Sequence, residues 1–271
     1  MMDPLLDIHD LRVEYAGRGG RALRAVDGVS LRCARGQCVG LVGESGCGKT
    51  TLANAVMGLV EPCAGHIRLQ GASVWPVDRG APRHRPREVQ MVFQDPLGAL
   101  NPRMTLGSAL AEVLTVHGLA ASSAARDVLV AELMARVGLD AGLAMRFPHE
   151  LSGGQRQRFC IARALAPQPA LLVADEPVSA LDVSIQVQIL NLLKDLVQGS
   201  GLGCLFIAHD LATVRYLCDH VLVMYAGRIV ESAPTADLFA RPAHAYTATL
   251  LAAVPDVEAG LRARQAGGSA A

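Results

Sequence analysis

Lysine is nearly missing from this 271-residue chain: of 25 basic residues only Lys49 and Lys194 are lysines, the rest arginines. An arginine-rich codon bias explains the general preference, and against it the lysine at position 49 looks placed. Net charge is missing too. Twenty-five acidic residues balance the 25 basic ones, which speaks against nucleic acid as a main partner, since phosphate-backbone binding calls for a basic excess. No run reaches the roughly 18 consecutive apolar residues that a bilayer span needs, although hydrophobic residues make up 51% and mean hydropathy is +0.29. The first residues, MMDPLLDIHDL, lack the basic start of a secretion signal. The seven cysteines include no CxxC pair and no zinc spacing, so they read as reduced thiols in a cytosolic protein. What is present excludes disorder: only 18% of residues are charged, and at about 150 residues per domain the length fits one large domain or two small ones.

Short apolar runs bounded by Gly, Pro or Asp alternate with segments of helical period. Gln37–Val42, Val89–Phe93, Ala170–Ala174, Gly203–Ala208 and Val221–Tyr225 are rich in Val, Leu and Ile without polar alternation, the pattern of strands buried on both faces. Lys49–Leu59 places Leu52, Ala53, Val56 and Met57 on one side; Ser184–Gln198 repeats Ile185, Ile189, Leu193 and Leu196 at helical spacing. Arg156–Ala166 is a third helix, stopped by Pro167 and Pro169. The alternation predicts an α/β fold on a mainly parallel sheet. Ahead of it, Leu6–Tyr15 and Leu23–Cys33 read as two strands around the turn-rich AGRGGR. From Pro96 to Ala166 the chain turns mostly helical, which suggests an insertion. Arg79–Arg87 reads as a solvated loop rather than an anion-binding patch, and the residues from Asp256 onward as a frayed tail.

Gly43-Glu44-Ser45-Gly46-Cys47-Gly48-Lys49-Thr50-Thr51 satisfies G-x-x-x-x-G-K-[ST] between an expected strand and an expected helix. The chain's own residue frequencies give ~0.001 accidental matches to that spacing. Gly43, Gly46 and Gly48 let the backbone turn so that successive N–H groups face one anion. The helix start adds its positive end, Lys49 reaches the β- and γ-phosphates, and Thr50 offers a hydroxyl to Mg²⁺. Cys47 reads as a small filler rather than a nucleophile. Further on, Leu171–Ala174 runs straight into Asp175-Glu176, a buried strand delivering two carboxylates. Asp175 would hold Mg²⁺ through its water shell, and Glu176 would polarise the attacking water. Leu151-Ser152-Gly153-Gly154-Gln155 opens an amphipathic helix, with Ser152 as its N-cap. Two anion-binding helix starts exceed what one nucleotide needs; on spacing alone an ordinary capped helix explains the second equally well.

LSGGQ between a phosphate loop and a buried-strand Asp-Glu pair resembles the signature of the ATP-binding-cassette (ABC) family, and the resemblance runs from Leu6 to about Pro255. It implies a P-loop NTPase cassette with a mainly parallel core sheet, an N-terminal antiparallel β subdomain and a helical subdomain insertion. The ATP-binding domain would span 1–255, the helical subdomain about 96–166 and a C-terminal importer-type motif about 233–255, followed by a flexible tail over 256–271. The resemblance also implies residue roles. Tyr15, in LRVEY, would stack on adenine. Gln94, in MVFQDP, would touch Mg²⁺ and the water and relay nucleotide state. Ser179, Ala180, Leu181 and Asp182 would form the loop that crosses to another subunit, and His209 would contact the γ-phosphate. In this family two cassettes pair head to tail, so Ser152, Gly153, Gly154 and Gln155 of one chain would close over the ATP of the other.

FQDPLGALNPRMT, LSGGQRQR, ADEPVSALDVSIQ and HAYTATLLAAVP resemble the oligopeptide, dipeptide and nickel importer branch. That branch usually reads HPYT where this chain has His244-Ala245-Tyr246-Thr247. The cysteine-rich iron–sulfur segment that many peptide-importer ATPases carry after this motif is missing, which leaves dipeptides or a nickel chelate open beside oligopeptides. The partners implied are a second cassette (a copy or a sister subunit), two transmembrane permease subunits and, indirectly, a substrate-binding protein. The protein would sit peripherally on the cytoplasmic side of the inner membrane. The competing reading is an accessory ATPase of a metabolic complex of the carbon–phosphorus-lyase kind. A non-catalytic nucleotide sensor would need a damaged site, whereas Lys49, Asp175, Glu176 and His209 are all present.

Overall fold

The computed structural model describes residues 4–16, 22–77 and 87–252. Most of the AGRGGR stretch, nearly all of the Arg79–Arg87 loop and the tail from 253 lie outside these residues. The chain opens on β1 (Leu6–Ala16) and β2 (Ala22–Cys33), an antiparallel pair in which Leu6 faces Cys33 and Tyr15 faces Leu23. After β3 (Cys38–Val42) and α1 (Lys49–Val56) come β4 (Ala64–Leu69) and β5 (Ala72–Trp75). These join the first pair in a four-stranded sheet of order β2-β1-β4-β5. Neither β4 nor β5 is among the strands expected from the sequence. Their two-residue turn, Gln70-Gly71, has positive φ at both positions (51° and 79°), a hairpin geometry more often signalled by Asn-Gly or Asp-Gly.

Next follow β6 (Val89–Val92), α2 (Leu106–Val116), α3 (Ser123–Arg136) and α4 (Gly153–Leu165). Alternation then resumes with β7 (Leu171–Asp175), α5 (Val183–Ser200), β8 (Gly203–Ala208), α6 (Leu211–Leu217) and β9 (His220–Tyr225). The described chain closes on β10 (Arg228–Pro234), α7 (Thr235–Ala240) and α8 (Ala245–Ala252). Six strands form the core sheet in the order β10-β9-β3-β8-β7-β6, parallel throughout except that β10 runs antiparallel to β9.

The apolar runs lack alternation because both faces of this sheet are covered. Odd and even residues of each strand enter different cores. Val39, Leu41, Val173, Leu205 and Ile207 pack with Leu52 and Val56 of α1 and with Leu6, Ile8 and Leu11 of the antiparallel sheet. Val42, Leu172, Ala174, Phe206 and Val223 pack on the other side with Phe159, Ile189, Leu193 and Val214. Helix limits differ by a few residues from those expected. α1 ends at Val56, and α4 begins at Gly153 because Ser152 caps it. This arrangement brings the C-terminal ends of β3, β7 and β8 side by side, where a parallel α/β sheet presents its ligand site.

Candidate nucleotide site

The fully buried β3 delivers Gly43 to the loop that precedes α1. Gly43 and Gly48 have φ of +155° and +112°. A Cβ would lie 2.1 Å from the Met224 carbonyl oxygen at the first and 2.2 Å from the Ala25 carbonyl oxygen at the second. The bend therefore needs glycine at both places. Gly48 sits at the N-cap of α1 with no side-chain cap, and the first turn carries no acidic residue. The free N–H groups and helix dipole thus favour an anion there. Lys49 is only 6% exposed. Its Nζ donates to the carbonyls of Gly43 (2.7 Å) and Glu44 (2.8 Å) and lies 3.8 Å from Cys47 Sγ. The ammonium is held inside the loop by acceptors that phosphate oxygens can replace.

Asp175 ends the buried β7. Burial pushes its carboxyl above the usual range and the charge of Glu176 adds to this, while a hydrogen bond from Thr50 and the nearby Lys49 pull it down. Thr50 and Asp175 are adjacent oxygen donors beside the phosphate loop, a set that fits a hard cation such as Mg²⁺ whose other ligands are phosphate and water oxygens. Glu176 follows in a left-handed conformation (φ 46°), uncommon for a non-glycine residue. Its N–H donates to the Ile207 carbonyl at 2.9 Å, which locks its backbone to β8. One carboxylate oxygen, Oε2, accepts from Gln94 Nε2 at 2.9 Å and lies 3.2 Å from His209 Nδ1. Three residues from separate strand ends thus meet at one oxygen. Gln94 is tied to the helical region beyond it: Cys160 Sγ of α4 donates to the Pro96 carbonyl (3.6 Å) and Arg163 to that of Ala99.

The second glycine motif is a capping box. Gln155 N–H donates to Ser152 Oγ (3.3 Å), and Ser152 N–H to Gln155 Oε1 (3.0 Å). Both side chains serve the helix start, and Ser152 remains exposed. A Cβ on Gly154 would lie 2.6 Å from Ile185 Cγ2 and one on Gly153 3.3 Å from Leu181 Cδ2, so the turn rests on the segment that opens α5. Asp182 caps α5. Hydrogen bonds from the Ser184 hydroxyl (2.6 Å) and Ile185 N–H (3.1 Å) hold its carboxyl below the usual range. Tyr15 is exposed on β1 opposite Leu23, two residues before the Ala25 carbonyl that abuts Gly48.

Contacts from the C-terminal part of the chain to the phosphate loop were not anticipated. Gly227 N–H donates to the Cys47 carbonyl at 2.9 Å, and Glu44 N–H donates to the Tyr246 hydroxyl at 3.0 Å. Tyr246 lies in HAYT, read above only as a branch marker. The 202 positions separating it from Glu44 carry no local signal.

The match to known proteins is extensive. The family described as ABC transporter matches residues 26–179, and the chain belongs to that family as an ATP-binding cassette. A second family, described as Oligopeptide/dipeptide transporter, C-terminal region, matches residues 230–271. The oligopeptide transport ATP-binding protein OppF of Escherichia coli is 47% identical over 260 residues, covering 93% of this chain and 78% of that protein. OppF of Bacillus subtilis is 46% identical over 260 residues, covering 94% and 84%. Among solved structures, the cassette MJ0796 in a dimeric post-hydrolysis state bound to ADP and Pi superposes with a TM-score of 0.75 at 27% identity, covering 85% of this chain and 98% of that one.

Proposed function

We propose that this chain is the ATP-hydrolysing subunit of an ABC importer for peptides. The observation that carries the chemistry is the convergence of Gln94 and His209 on Glu176 Oε2, next to the Lys49–Thr50–Asp175 group. ATP is the substrate. Its phosphates take the loop from Gly43 to Thr51, including Glu44, Ser45, Gly46 and Cys47, and exchange for the carbonyls that hold Lys49. Tyr15 offers its exposed ring to the adenine. Thr50, Asp175 and Gln94 would hold Mg²⁺, which would supply charge neutralisation at the phosphates. Glu176, oriented by Gln94 and His209, accepts a proton from the attacking water. Gly153 and Gly154 supply backbone N–H groups, and the exposed Ser152 its hydroxyl, to the ATP of a partner cassette, with Gln155 holding the turn; solved relatives include dimeric cassettes.

Peptide import follows from the C-terminal family match and from the names of relatives 46% and 47% identical. The same match favours an importer over an accessory subunit of a metabolic complex, and nothing in those names supports nickel. No described helix is long and apolar enough to cross a membrane. We assign membrane attachment to two permease subunits on the cytoplasmic side, supplied by a substrate-binding protein, with the helical subdomain (about 96–166) and the segment after Gln94 as the face that meets them. The cassette pairs with a copy of itself or a sister subunit. Mixing Ser152→Arg chains with Lys49→Ala chains tests the trans arrangement, because one intact site per mixed dimer is expected to restore part of the hydrolysis that each variant lacks alone. Full activity from either variant by itself would refute it.

A further inference from the structure

The peptide between Gly43 and Glu44 is held at both ends. Its carbonyl accepts from Lys49 Nζ at 2.7 Å, and its N–H donates to the Tyr246 hydroxyl at 3.0 Å. A single planar unit therefore joins the C-terminal helix α8 to the ammonium group of the phosphate loop. Gly43 on one side leaves this peptide free to rotate as a unit, since glycine opposes few backbone orientations. Rotation would carry the carbonyl away from Lys49 and the N–H away from Tyr246. The tyrosine is anchored in turn. Its ring tilts on Tyr225 with centroids 4.5 Å apart, and the carboxylate of Glu231 accepts from the N–H groups of Ala243 (2.8 Å) and His244 (2.9 Å) just before α8. Thr247, next in the helix, is fully buried. The C-terminal segment thus presents one fixed hydroxyl to the loop.

We propose that Tyr246 is a positioning residue for nucleotide binding: its hydroxyl pins the Gly43–Glu44 peptide in the orientation that keeps Lys49 inside the phosphate loop. The inference rests on the loop being the ATP site. Without the hydroxyl, the binding-competent orientation is populated only part of the time, and apparent affinity falls by that fraction. By linkage, nucleotide in the loop also stabilises the seating of α8.

Tyr246→Phe keeps the ring and its contact with Tyr225 while removing the acceptor. Loss of one hydrogen bond corresponds to about a three- to tenfold rise in KM for MgATP, with kcat within about twofold of wild type. Amide exchange at Glu44 rises in the same variant. Thr249→Val, which removes a hydroxyl that donates to the Ala245 carbonyl of its own helix, is the control and keeps the wild-type KM. An active Tyr246→Phe protein with unchanged KM would overturn the proposal, as would a fall in kcat alone. Independently of any variant, MgADP is expected to slow amide exchange in α8 of the wild-type chain, and unchanged exchange there would also overturn it. A wild-type chain that neither bound nor hydrolysed MgATP would instead sink the functional reading itself.

Discussion

The two inner glycines of the phosphate loop look alike in sequence but sit in different surroundings. At Gly48 a Cβ would lie 2.2 Å from the Ala25 carbonyl oxygen and 2.8 Å from Met224 Cε, and φ is +112°. The first contact is about 1.2 Å short of an ordinary 3.4 Å approach. Ala25 is the extra residue of a bulge in β2, held between Arg24, which pairs with Glu14, and Val26, which pairs with Val13, so its carbonyl moves only with the flanking ladder. Overpacking at about 2.5 kcal/mol and backbone strain at about 1.5 kcal/mol put Gly48→Ala near 4 kcal/mol. At Gly46, φ is +81° but no atom lies within 4 Å of the Cβ position. Gly46→Ala therefore carries only the strain, about 1.5 kcal/mol. At roughly 2–4 °C per kcal/mol for a chain of this size, Tm falls about 3–6 °C for Gly46→Ala and about 8–16 °C for Gly48→Ala. Thermal unfolding of the nucleotide-free variants, followed by circular dichroism, separates the two. Equal losses would show that the close approach between loop and β2 is not what constrains Gly48.

Asp175 gives a prediction with a defined sign. Its folded pKa is raised chiefly by burial, so the stability linked to its proton is complete below the unfolded pKa and is lost as pH rises through the folded one. At pH 7 the carboxylate destabilises the empty protein, and Asp175→Asn is expected to raise Tm there while abolishing MgATP turnover; a lowered Tm at pH 7 would contradict the burial argument. Gly154→Ala pushes the start of α4 off Ile185, from which its Cβ would stand 2.6 Å. Turnover should fall about tenfold or more through misplacement of that turn, with MgATP affinity of the chain held within about twofold. A parallel loss of affinity in a fluorescent-nucleotide titration would remove the turn from a trans role.

The core strands were readable because a strand covered on both faces has no polar residue to confuse its pattern. Leu171 to Ala174 is wholly apolar, since Leu172 and Ala174 enter one core while Leu171 and Val173 enter the other. The weaker strands were not readable. β10 is only half-buried and ends in Pro234, and β4 begins Ala-Gly-His with little apolar content. The site divides in the same way. The loop from Gly43 to Thr50 and the Asp175-Glu176 step are local, so spacing and context announce them. The meeting of Gln94, Glu176 and His209 is made by strand order, across 82 and 33 positions, and no local spacing carries it; only the family resemblance pointed there. Tyr246 is the extreme case, since its partner is a backbone N–H that leaves no mark on the sequence.

Retention of radiolabelled ATP by the Glu176→Gln protein is the measurement closest to the mechanism. With Mg²⁺ present, this variant is expected to keep unhydrolysed ATP through rapid desalting while its turnover falls at least about 100-fold. Hydrolysis at the wild-type rate, with the label recovered as ADP, would contradict the assignment of Glu176 as the base.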